Sequence, residues 1–497
     1  MINKLKFLGA ARNVTGSRHL LQTREANILV DCGLYQERCF QNRNWGKFPF
    51  PPKDIDAVLL THAHLDHCGY LPKLVQEGFR GKIYCTPATA DLTRLILLDS
   101  AHIYEEDALK KKLRHRKEGR EGKPYPEVPL YTVKEAEACC KLFIPVEYNS
   151  CVMIAKNIHA CFYNAGHILG SAIIEVRFPG DDKECKVLFT GDMGRPNTPI
   201  IKDPDMFKEA DYILIESTYG DKTHENVVDI HEKMGKAINM AYEKGANVLI
   251  PCFALERAQA VLYHLNKLYL NNALPSIPIF IDSPMASKVT EVFKKNINLY
   301  DTSMLRLVNG DFSPFTLPNL KMVSSLSESE KIQNHKGPVI IIASSGMCTG
   351  GRIKSHLIRN IDKNPRCTIM FVGYQASGTL GRQILDGEPE VRIYGENYHV
   401  NADVVRIPGF SAHADRYELL DWLKNFQKPP KGIFIVHGES ETVSKFSSFL
   451  KENTKWNVLT PQYGEEIPLD FFIQTEKTTS SGGGQRQEEK VTKLPQV

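Results

Sequence analysis

A chain of 497 residues is longer than one hydrophobic core usually supports, so its length predicts two or three domains, one of which can be inserted into another. Its composition, with 42% hydrophobic and 24% charged residues, is that of a soluble globular protein, and no apolar run is long enough to cross a bilayer. The net charge of +4 is too small to indicate a nucleic-acid partner by itself.

The N-terminal residues and the cysteines bear on the cellular compartment. In residues 1–16 a short apolar stretch is broken by Gly9, and it is too short for the core of a signal peptide. The 12 cysteines include no C-x-x-C pair, so we expect small core residues rather than a zinc ribbon or a disulfide framework. These features predict a cytoplasmic protein without a membrane anchor.

Short strands separated by loops are predicted over the first two hundred residues, together with a helix over 88–113. Such strands build a sheet whose loops can hold a functional site. The predicted strands are 5–8, 19–21, 26–30, 57–60, 151–155, 158–162, 171–176 and 186–189.

A basic stretch extends from Lys110 to Lys123 and sets eight lysines or arginines against Glu118 and Glu121. This run could meet a phosphate backbone. It is equally typical of a solvated helix face followed by a loop, so the sequence leaves both interpretations open.

The pattern of apolar residues changes at residue 212, where continuous apolar runs begin to alternate with helical patterns. This alternation predicts an α/β domain built on a buried, mainly parallel sheet. The apolar runs are 213–215, 248–250, 279–281, 339–342 and 368–372, and the helical patterns cover 227–244 and 256–269.

After residue 406 the chain returns to strands and loops that carry motifs, with a helix predicted over 414–426 and a strand over 432–436. This order predicts a domain inserted into the first one. The last residues have almost no apolar content and are predicted to form a disordered tail. The predicted boundaries are 1–210 and 405–473 for the two parts of the first domain, 211–404 for the insertion and 474–497 for the tail.

Three histidines and an aspartate lie within six residues, directly after the strand predicted over 57–60. Imidazole nitrogens and carboxylate oxygens are zinc ligands, and a loop between a strand and a helix can present several of them to one small volume. Chance clustering or helix capping explains the run less well, because four ligand side chains fall together. The four residues are His62, His64, Asp66 and His67.

Further candidate ligands follow at glycine-rich turns. His167 lies in the run 164–171 and Asp192 in the run 189–194, both at predicted strand ends. Glycines let the backbone turn sharply beside the ions, and a carboxylate at such a turn can bridge two cations. Asp31 is either a carboxylate that orients a ligating imidazole or an ordinary turn residue.

This order of residues resembles the metallo-β-lactamase superfamily, whose members hydrolyse several kinds of bond, so that the fold alone does not select a substrate. The next well-placed histidine, His437, follows only after a gap that can hold a whole domain. The runs around Glu216, His413 and His437 resemble motifs A, B and C of the β-CASP nucleases. The resemblance extends to about residue 470, and it is close to bacterial and archaeal relatives of the eukaryotic pre-mRNA 3′-end endonuclease and less close to ribonuclease J or the DNA-directed members. Further runs that resemble this group are 282–285, 343–347 and 373–380.

The resemblance implies an αββα sandwich of the metallo-β-lactamase type with an inserted β-CASP domain, and a centre of two zinc ions. No ligand position is missing, which favours an enzyme over a non-catalytic RNA-binding scaffold of the same fold. A hydrolase of a small ester or thioester is a further alternative, although an insertion that covers the metals counts against it. The resemblance assigns His62, His64, His167 and Asp192 to one ion, and Asp66, His67, Asp192 and His437 to the other.

The same resemblance implies a zinc-dependent ribonuclease that cleaves single-stranded RNA as an endonuclease, a 5′ exonuclease or both. The two ions would activate a water for attack on phosphorus, and Asp66 could orient that water. His413 is suited to protonate the departing 3′-oxygen if Glu216 keeps it cationic, which gives 5′-phosphate and 3′-hydroxyl products. The sequence leaves the oligomeric state open, a homo-oligomer included.

Contacts to RNA phosphates are predicted within the insertion. The run Ser344, Ser345, Gly346, followed by Arg352 and a helix, could offer backbone N–H groups and a guanidinium. Arg257 and Arg382 are candidates of the same kind. For each of these residues, the alternative is an ordinary loop residue or surface arginine.

Overall fold

The computed structural model describes residues 3–119, 127–180, 183–224, 230–363 and 367–469. The predicted tail and residues 120–123 of the basic stretch lie outside the described residues. Among the helices that are described, none combines the length and the apolar composition needed to span a bilayer.

Two seven-stranded sheets pack face to face around an apolar core. In the strand Asn27–Val30, Ile28 and Val30 point to the core between the sheets, whereas Leu29 packs outwards, as the two-residue period of a strand requires. The first sheet contains, in spatial order, Glu466–Pro468, Lys4–Phe7, His19–Gln22, Asn27–Val30, Ala57–Leu59, Lys82–Cys85 and Phe143–Pro145. The second sheet contains Val458–Leu459, Gly432–Ile435, Tyr212–Ile215, Glu184–Phe189, Ala172–Pro179, Ile158–Asn164 and Ser150–Ala155.

Helices cover the outer faces of both sheets, so the predicted αββα sandwich is confirmed. On the first sheet lie Leu65–Cys68, Leu71–Gln76, Pro87–Lys117 and Val133–Cys140, and on the second lie Arg416–Leu423 and Ser440–Thr454. Short 3₁₀ helices span Gln41–Asn44, Pro52–Asp54, Ile297–Leu299 and Pro314–Thr316.

A third sheet forms the insertion, and all of its strand pairs are parallel, as predicted. Apolar clusters on both of its faces pack against helices, which explains why its strands are continuous apolar runs. In spatial order its strands are Leu320–Met322, Ile279–Asp282, Ile340–Ala343, Val248–Pro251, Thr368–Phe371 and Asp403–Arg406. Its helices are Ile230–Glu243, Arg257–Leu270, Pro284–Lys295, Thr302–Asn309, Leu326–Ile332, Ile353–Asn360 and Leu380–Leu385, and a small hairpin pairs Glu390–Ile393 with Glu396–His399.

The prediction that residues 213–215 join the parallel sheet of the insertion is wrong. The strand Tyr212–Ile215 pairs in parallel with Glu184–Phe189 and with Gly432–Ile435, inside the second sheet of the sandwich. Parallel neighbours on both sides and covered faces give this strand the same apolar run as a strand of the insertion. Because Asp403–Arg406 pairs with the third sheet, the pairings favour an insertion that begins after residue 215 and ends after 406.

The cysteines follow the prediction with one exception. Nine of the ten free cysteines are buried, which fits small core residues. Cys151 and Cys161, however, are joined by a disulfide between neighbouring strands, with their Cα atoms 4.0 Å apart. They lie directly opposite each other in the sheet, and a spacing of ten residues along the chain carries no C-x-x-C signal.

The insertion packs against loops at one end of the sandwich. Leu255, which follows the strand Val248–Pro251, shares an apolar cluster with Leu169, two residues beyond His167. The backbone N–H of Leu169 also donates to Glu256 Oε2 at 3.2 Å. These contacts hold the carboxyl ends of the inserted strands beside the loops that carry the predicted ligands.

Candidate metal centre and catalytic cleft

The four-residue motif lies where the strand Ala57–Leu59 gives way to a loop and then to the helix Leu65–Cys68. His62 and His64 lie in the loop, whereas Asp66 and His67 lie on the short helix. All seven predicted ligands lie around one small volume, and they form two groups that share Asp192.

The first group consists of His62, His64, His167 and Asp192, whose potential ligand atoms all lie within 4.8 Å of one another. His64 Nδ1 is 3.1 Å from His62 Nε2 and 3.3 Å from His167 Nε2. Asp192 Oδ2 lies 3.5 Å from His62 Nε2 and 3.6 Å from His167 Nε2. Burial lowers the pKa of His64 to about 3 and lowers the pKa of His62 and His167, so these rings are in the neutral form that binds metal.

The second group consists of Asp66, His67 and His437, with Asp192 on its other side. His67 Nε2 lies 3.0 Å from His437 Nε2 and 3.2 Å from Asp192 Oδ1. Asp66 Oδ2 lies 3.4 Å from His437 Nε2, and Asp192 Oδ1 lies 3.5 Å from His437 Nδ1. Asp192 therefore places one carboxylate oxygen toward each group.

A buried oxygen without a partner and the facing ring nitrogens of the two groups fit metal ions. Asp192 Oδ1 is buried and forms no hydrogen bond within the described part of the chain. Ring nitrogens face each other in both groups, yet two neutral imidazole nitrogens can share only one proton. Cations between the nitrogen lone pairs and the carboxylate would satisfy all of these atoms at once.

Asp31 lies directly behind the second group. Its Oδ2 is 2.6 Å from His67 Nδ1, and its other oxygen accepts from the backbone N–H of Thr61 at 2.8 Å. A carboxylate on the far nitrogen of an imidazole fixes the orientation of the ring and leaves Nε2 for a metal. Of the two interpretations of Asp31, these contacts favour the one in which it orients a ligand.

His413 and Glu216 lie beside the predicted metal ligands. His413 Nδ1 is 3.0 Å and 3.1 Å from the two Glu216 carboxylate oxygens, and 3.9 Å from Asp192 Oδ2. Burial lowers the pKa of His413, but Glu216 and then Asp192 raise it more, and the result is a pKa of about 9. Glu216 is held in place because its Oε1 also accepts from the backbone N–H of Met193 at 2.7 Å. The pair therefore presents a protonated imidazole at the site.

Close packing of glycines brings the His167 and Asp192 loops together. An added Cβ on Gly194 would lie 1.7 Å from the carbonyl oxygen of Gly166, so only glycine fits at this position. Gly194 also bridges to the backbone of His413. A side chain at residue 194 would thus separate three of the functional segments.

A shell of residues that the sequence did not single out surrounds His413. His224 Nε2 lies 2.9 Å from the His413 carbonyl oxygen, and the His224 backbone N–H donates to Asp415 at 2.8 Å. The Tyr219 ring stacks near both His224 and His413, with centroid distances of 4.9 Å and 6.2 Å. Tyr219 lies three residues after Glu216 in motif A, but His224 has no sequence signal, because its role depends on a contact with a residue 189 positions away.

The predicted phosphate contacts in the insertion fall into different environments. Ser344, Ser345 and Gly346 follow the carboxyl end of the strand Ile340–Ala343, and Gly346 lies against the Phe253 ring. Arg352 donates to the buried Asp282 at 2.6 Å and to the Ser324 carbonyl at 2.8 Å, which favours a structural role.

The other two predicted arginines, Arg382 and Arg257, differ in whether a protein side chain pairs with the guanidinium. Arg382 is exposed and pairs with Asp386 at 2.7 Å. Arg257 lies 5.8 Å from the Phe410 ring, and its Nη1 is buried without a hydrogen-bond partner among the described residues. Of the three arginines, Arg257 is therefore the one with a buried donor that lacks a partner among the described residues.

Comparison with protein families gives three matches along the chain. Residues 20–192 match the metallo-beta-lactamase superfamily domain, residues 258–384 match the Beta-Casp domain, and residues 397–461 match the Zn-dependent metallo-hydrolase RNA specificity domain. The matched segments follow the order of sandwich, insertion and sandwich that the strands define.

Comparison with individual proteins gives relatives that match most of this chain. The chain is 35% identical over 462 residues to Ribonuclease TTHA0252 of Thermus thermophilus, covering 93% of this chain and 99% of that protein. It is 32% identical to Transcription termination factor FttA of Methanocaldococcus jannaschii, covering 92% of this chain and 70% of FttA. A crystal structure of a protein of unknown function from Enterococcus faecalis V583 shares the fold, with a TM-score of 0.51 and 12% identity over 94% of this chain and 100% of that one. The chain therefore belongs to the β-CASP ribonuclease group of the metallo-β-lactamase superfamily.

Proposed function

We propose that this chain is a zinc-dependent ribonuclease that hydrolyses RNA phosphodiester bonds to 5′-phosphate and 3′-hydroxyl ends, in RNA processing or decay. The observation that carries the proposal is the convergence of a full ligand set with the His413–Glu216 pair, 3.9 Å from the shared Asp192. The match to an RNA specificity domain and the similarity to a named ribonuclease support RNA as the substrate.

The two ligand groups would hold two metal ions. Imidazole-rich sets that also contain carboxylates suit zinc, whereas magnesium prefers oxygen ligands alone. When bound, the ions would supply a Lewis acid for the phosphate oxygens and lower the pKa of a coordinated water. His62, His64 and His167 would hold one ion, Asp66, His67 and His437 the other, and Asp192 would contact both.

The protein side chains would orient the reacting groups and move the protons. Asp66 is partly exposed, with 18% of its side chain accessible, so its carboxylate can hold the attacking water in line with the scissile bond. His413 turns Nδ1 to Glu216, which leaves Nε2 to give a proton to the departing 3′-oxygen. An alkoxide is a poor leaving group without that proton, so His413 would raise the rate of bond cleavage rather than the affinity for RNA.

Arg257 would position the RNA backbone. Its guanidinium lies 5.8 Å from the ring of Phe410, three residues before His413, and its Nη1 has no hydrogen-bond partner among the described residues. A phosphate would satisfy that donor through a charge-assisted hydrogen bond. Ser344, Ser345 and Gly346 would lie along the same RNA at the carboxyl ends of the inserted strands.

One experiment tests the reaction and its alternatives together. The zinc-loaded protein is incubated with end-labelled single-stranded RNA, with DNA of the same sequence and with a thioester, and the product ends are mapped. Cleavage of RNA with 5′-phosphate ends supports the proposal. RNA binding without cleavage would instead indicate a scaffold, and preferred hydrolysis of the thioester would indicate a small-molecule hydrolase.

A further inference from the structure

An exposed aromatic and cationic surface lies near His413, outside the groups proposed to bind metal or move protons. Phe253 and Tyr374 belong to the insertion, and 44% and 57% of their respective surfaces are exposed. Lys222 belongs to the segment that follows motif A and is also exposed. We call these three residues the cleft-mouth surface.

A chain of measured contacts connects this surface to the proposed proton donor. The Tyr219 ring lies 6.2 Å from the His413 ring, and Lys222 Nζ lies 5.5 Å from the Tyr219 ring. The same Nζ lies 5.8 Å from the Tyr374 ring. Lys222 thus lies between the Tyr219 ring, which is next to His413, and the Tyr374 ring of the insertion.

The backbone beneath the aromatic rings is held by buried hydrogen bonds. Gln375, the residue after Tyr374, is buried and donates from Nε2 to the Gly346 carbonyl at 2.9 Å. An added Cβ on Gly346 would lie 2.8 Å from the Phe253 ring, so the missing side chain leaves room for that ring. Gly346 therefore lies against the Phe253 ring and is hydrogen-bonded to the residue after Tyr374, which connects the segments that carry the two exposed rings.

Aromatic faces beside a cation are suited to a single-stranded nucleic acid. Every nucleobase has a flat face that stacks on an aromatic ring, and the neighbouring phosphate pairs with lysine. A base within a duplex is already stacked and paired, so it cannot occupy such a ring without leaving its helix.

We propose that Tyr374 and Lys222 form a nucleotide-binding subsite beside the scissile phosphate, with Phe253 as a second stacking surface. The Tyr374 ring stacks on an unpaired base, and Lys222 pairs with the adjacent phosphate. The subsite selects single-stranded RNA and fixes which phosphate reaches the metal centre. This inference rests on the proposed ribonuclease function.

The test compares Tyr374→Leu, which removes the aromatic face, with Tyr374→Phe, which keeps it. The control is Tyr394→Leu, because Tyr394 is 68% exposed and lies in the loop of the small hairpin. Rates are measured on single-stranded RNA and on bis(p-nitrophenyl) phosphate, which has no base. We expect kcat/KM for RNA, relative to the aryl diester, to fall about 5- to 150-fold in Tyr374→Leu and to recover in Tyr374→Phe.

An abasic substrate makes the test specific for stacking. RNAs that lack the base at single positions on either side of the cleaved bond are given to the wild type and to Tyr374→Leu. At one position the abasic RNA should be a poorer substrate for the wild type but not for the variant, because the two changes remove the same contact. Equal losses at every position would overturn the stacking contact.

Lys222→Gln tests the phosphate contact through salt. Loss of one phosphate pair should reduce the slope of log KM against log salt concentration by about 0.7 for a single strand. An unchanged slope would overturn this contact. If Tyr374→Leu and Tyr394→Leu have the same kcat/KM for RNA, the proposed subsite is wrong, whereas the proposed ribonuclease function is not contradicted. A wild type that hydrolyses the aryl diester but no RNA would contradict the ribonuclease itself.

Discussion

The candidate metal centre and the candidate phosphate contacts of the insertion differ in how well their residues could be predicted from the sequence. At the metal centre, all seven predicted ligands converge on one volume. Of three predicted arginines in the insertion, Arg352 is bound to Asp282, Arg382 is paired with Asp386, and Arg257 alone has an unpartnered buried donor among the described residues.

The difference shows that a group of ligands around one point is easier to predict from sequence than an arginine side chain that has no partner within the protein. A metal ion requires many ligands around one point, so several coordinating residue types in one short run already indicate a site. A phosphate-binding arginine needs only a free guanidinium, and that depends on which other side chain lies nearby. The following substitutions test this contrast, from the largest expected effect to the smallest.

Asp192→Ala should abolish both metal binding and hydrolysis, because this carboxylate places one oxygen toward each ligand group. Zinc content by atomic spectroscopy and RNA cleavage measure the effect. Asp421→Ala serves as the control, since Asp421 is exposed on a helix and pairs only with Lys424 in the described structure. Full zinc content together with undiminished cleavage in Asp192→Ala would refute the shared ligand.

His413→Ala and His437→Ala should separate proton transfer from metal binding. His413→Ala should keep its zinc and bind RNA, yet cleave about 10² to 10⁴ times more slowly, the usual contribution of a positioned general acid. His437→Ala should lose metal as well, because His437 lies 3.0 Å from His67 and 3.4 Å from Asp66.

A substrate that needs no acid sharpens this comparison. An activated aryl phosphodiester should restore much of the rate in His413→Ala but little in His437→Ala, since its leaving group departs as a stable anion. Loss of zinc from His413→Ala, or equal impairment on both substrates, would contradict the assignment of the proton.

Arg257→Ala should raise KM for RNA about 10- to 150-fold, the range for a lost hydrogen bond between charged groups. Arg257→Lys should recover only part, because an ammonium cannot reproduce two guanidinium donors. Arg382→Ala should stay within about twofold of the wild type, because its pair with Asp386 is exposed. If both alanine variants had the same KM, Arg257 would not be the phosphate contact.

Arg352→Ala should act on stability rather than on RNA affinity. Asp282 is fully buried and accepts from Arg352, His356 and Ser329, so the variant leaves part of a buried carboxylate unpaired. We expect the free energy of unfolding in urea to fall by about 1 to 3 kcal/mol. A raised KM for RNA with an unchanged free energy of unfolding would indicate that Arg352 contacts RNA and would contradict the structural role.

Glu256→Gln should give the smallest effect, and one that depends on pH. Burial raises the pKa of Glu256 from 4.5 to about 7. The folded state therefore binds this proton more tightly than the unfolded state does. The contribution of the bound proton to folding stability is fully present below pH 4.5 and is lost as the pH rises through about 7. The neutral glutamine should stabilise the protein at pH 8, with a smaller gain at pH 5.5.

Urea unfolding at both pH values measures this gain, with the exposed Glu388→Gln as the control. The backbone of Glu256 has a φ of +64°. Glutamine has the same carbon skeleton as glutamate, so the substitution does not add steric strain at this position. An equal gain at both pH values would show that the charge of Glu256 is not the cause.

The limits of sequence prediction are clear in the strand Tyr212–Ile215. Its apolar run predicted a buried parallel strand, and the structure contains one, but in the sandwich rather than in the insertion. Burial on both faces produces the same residue pattern in either sheet. Strand partners depend on contacts between distant segments, and a single sequence does not record them.

The sequence by itself predicted most strands and helices and seven candidate metal ligands, and its resemblance to a known family implied the layers of the fold. Strand and helix periods are local, and four candidate ligands lie in a run of six residues, so short segments contain the information on which these predictions and the resemblance rest. Only the tertiary structure decided that Arg257 has an unpartnered donor among the described residues, that His224 contacts the backbone of His413, and that Lys222 lies near the Tyr374 ring. These properties arise where the insertion meets the sandwich, because each depends on which distant side chain occupies the neighbouring space.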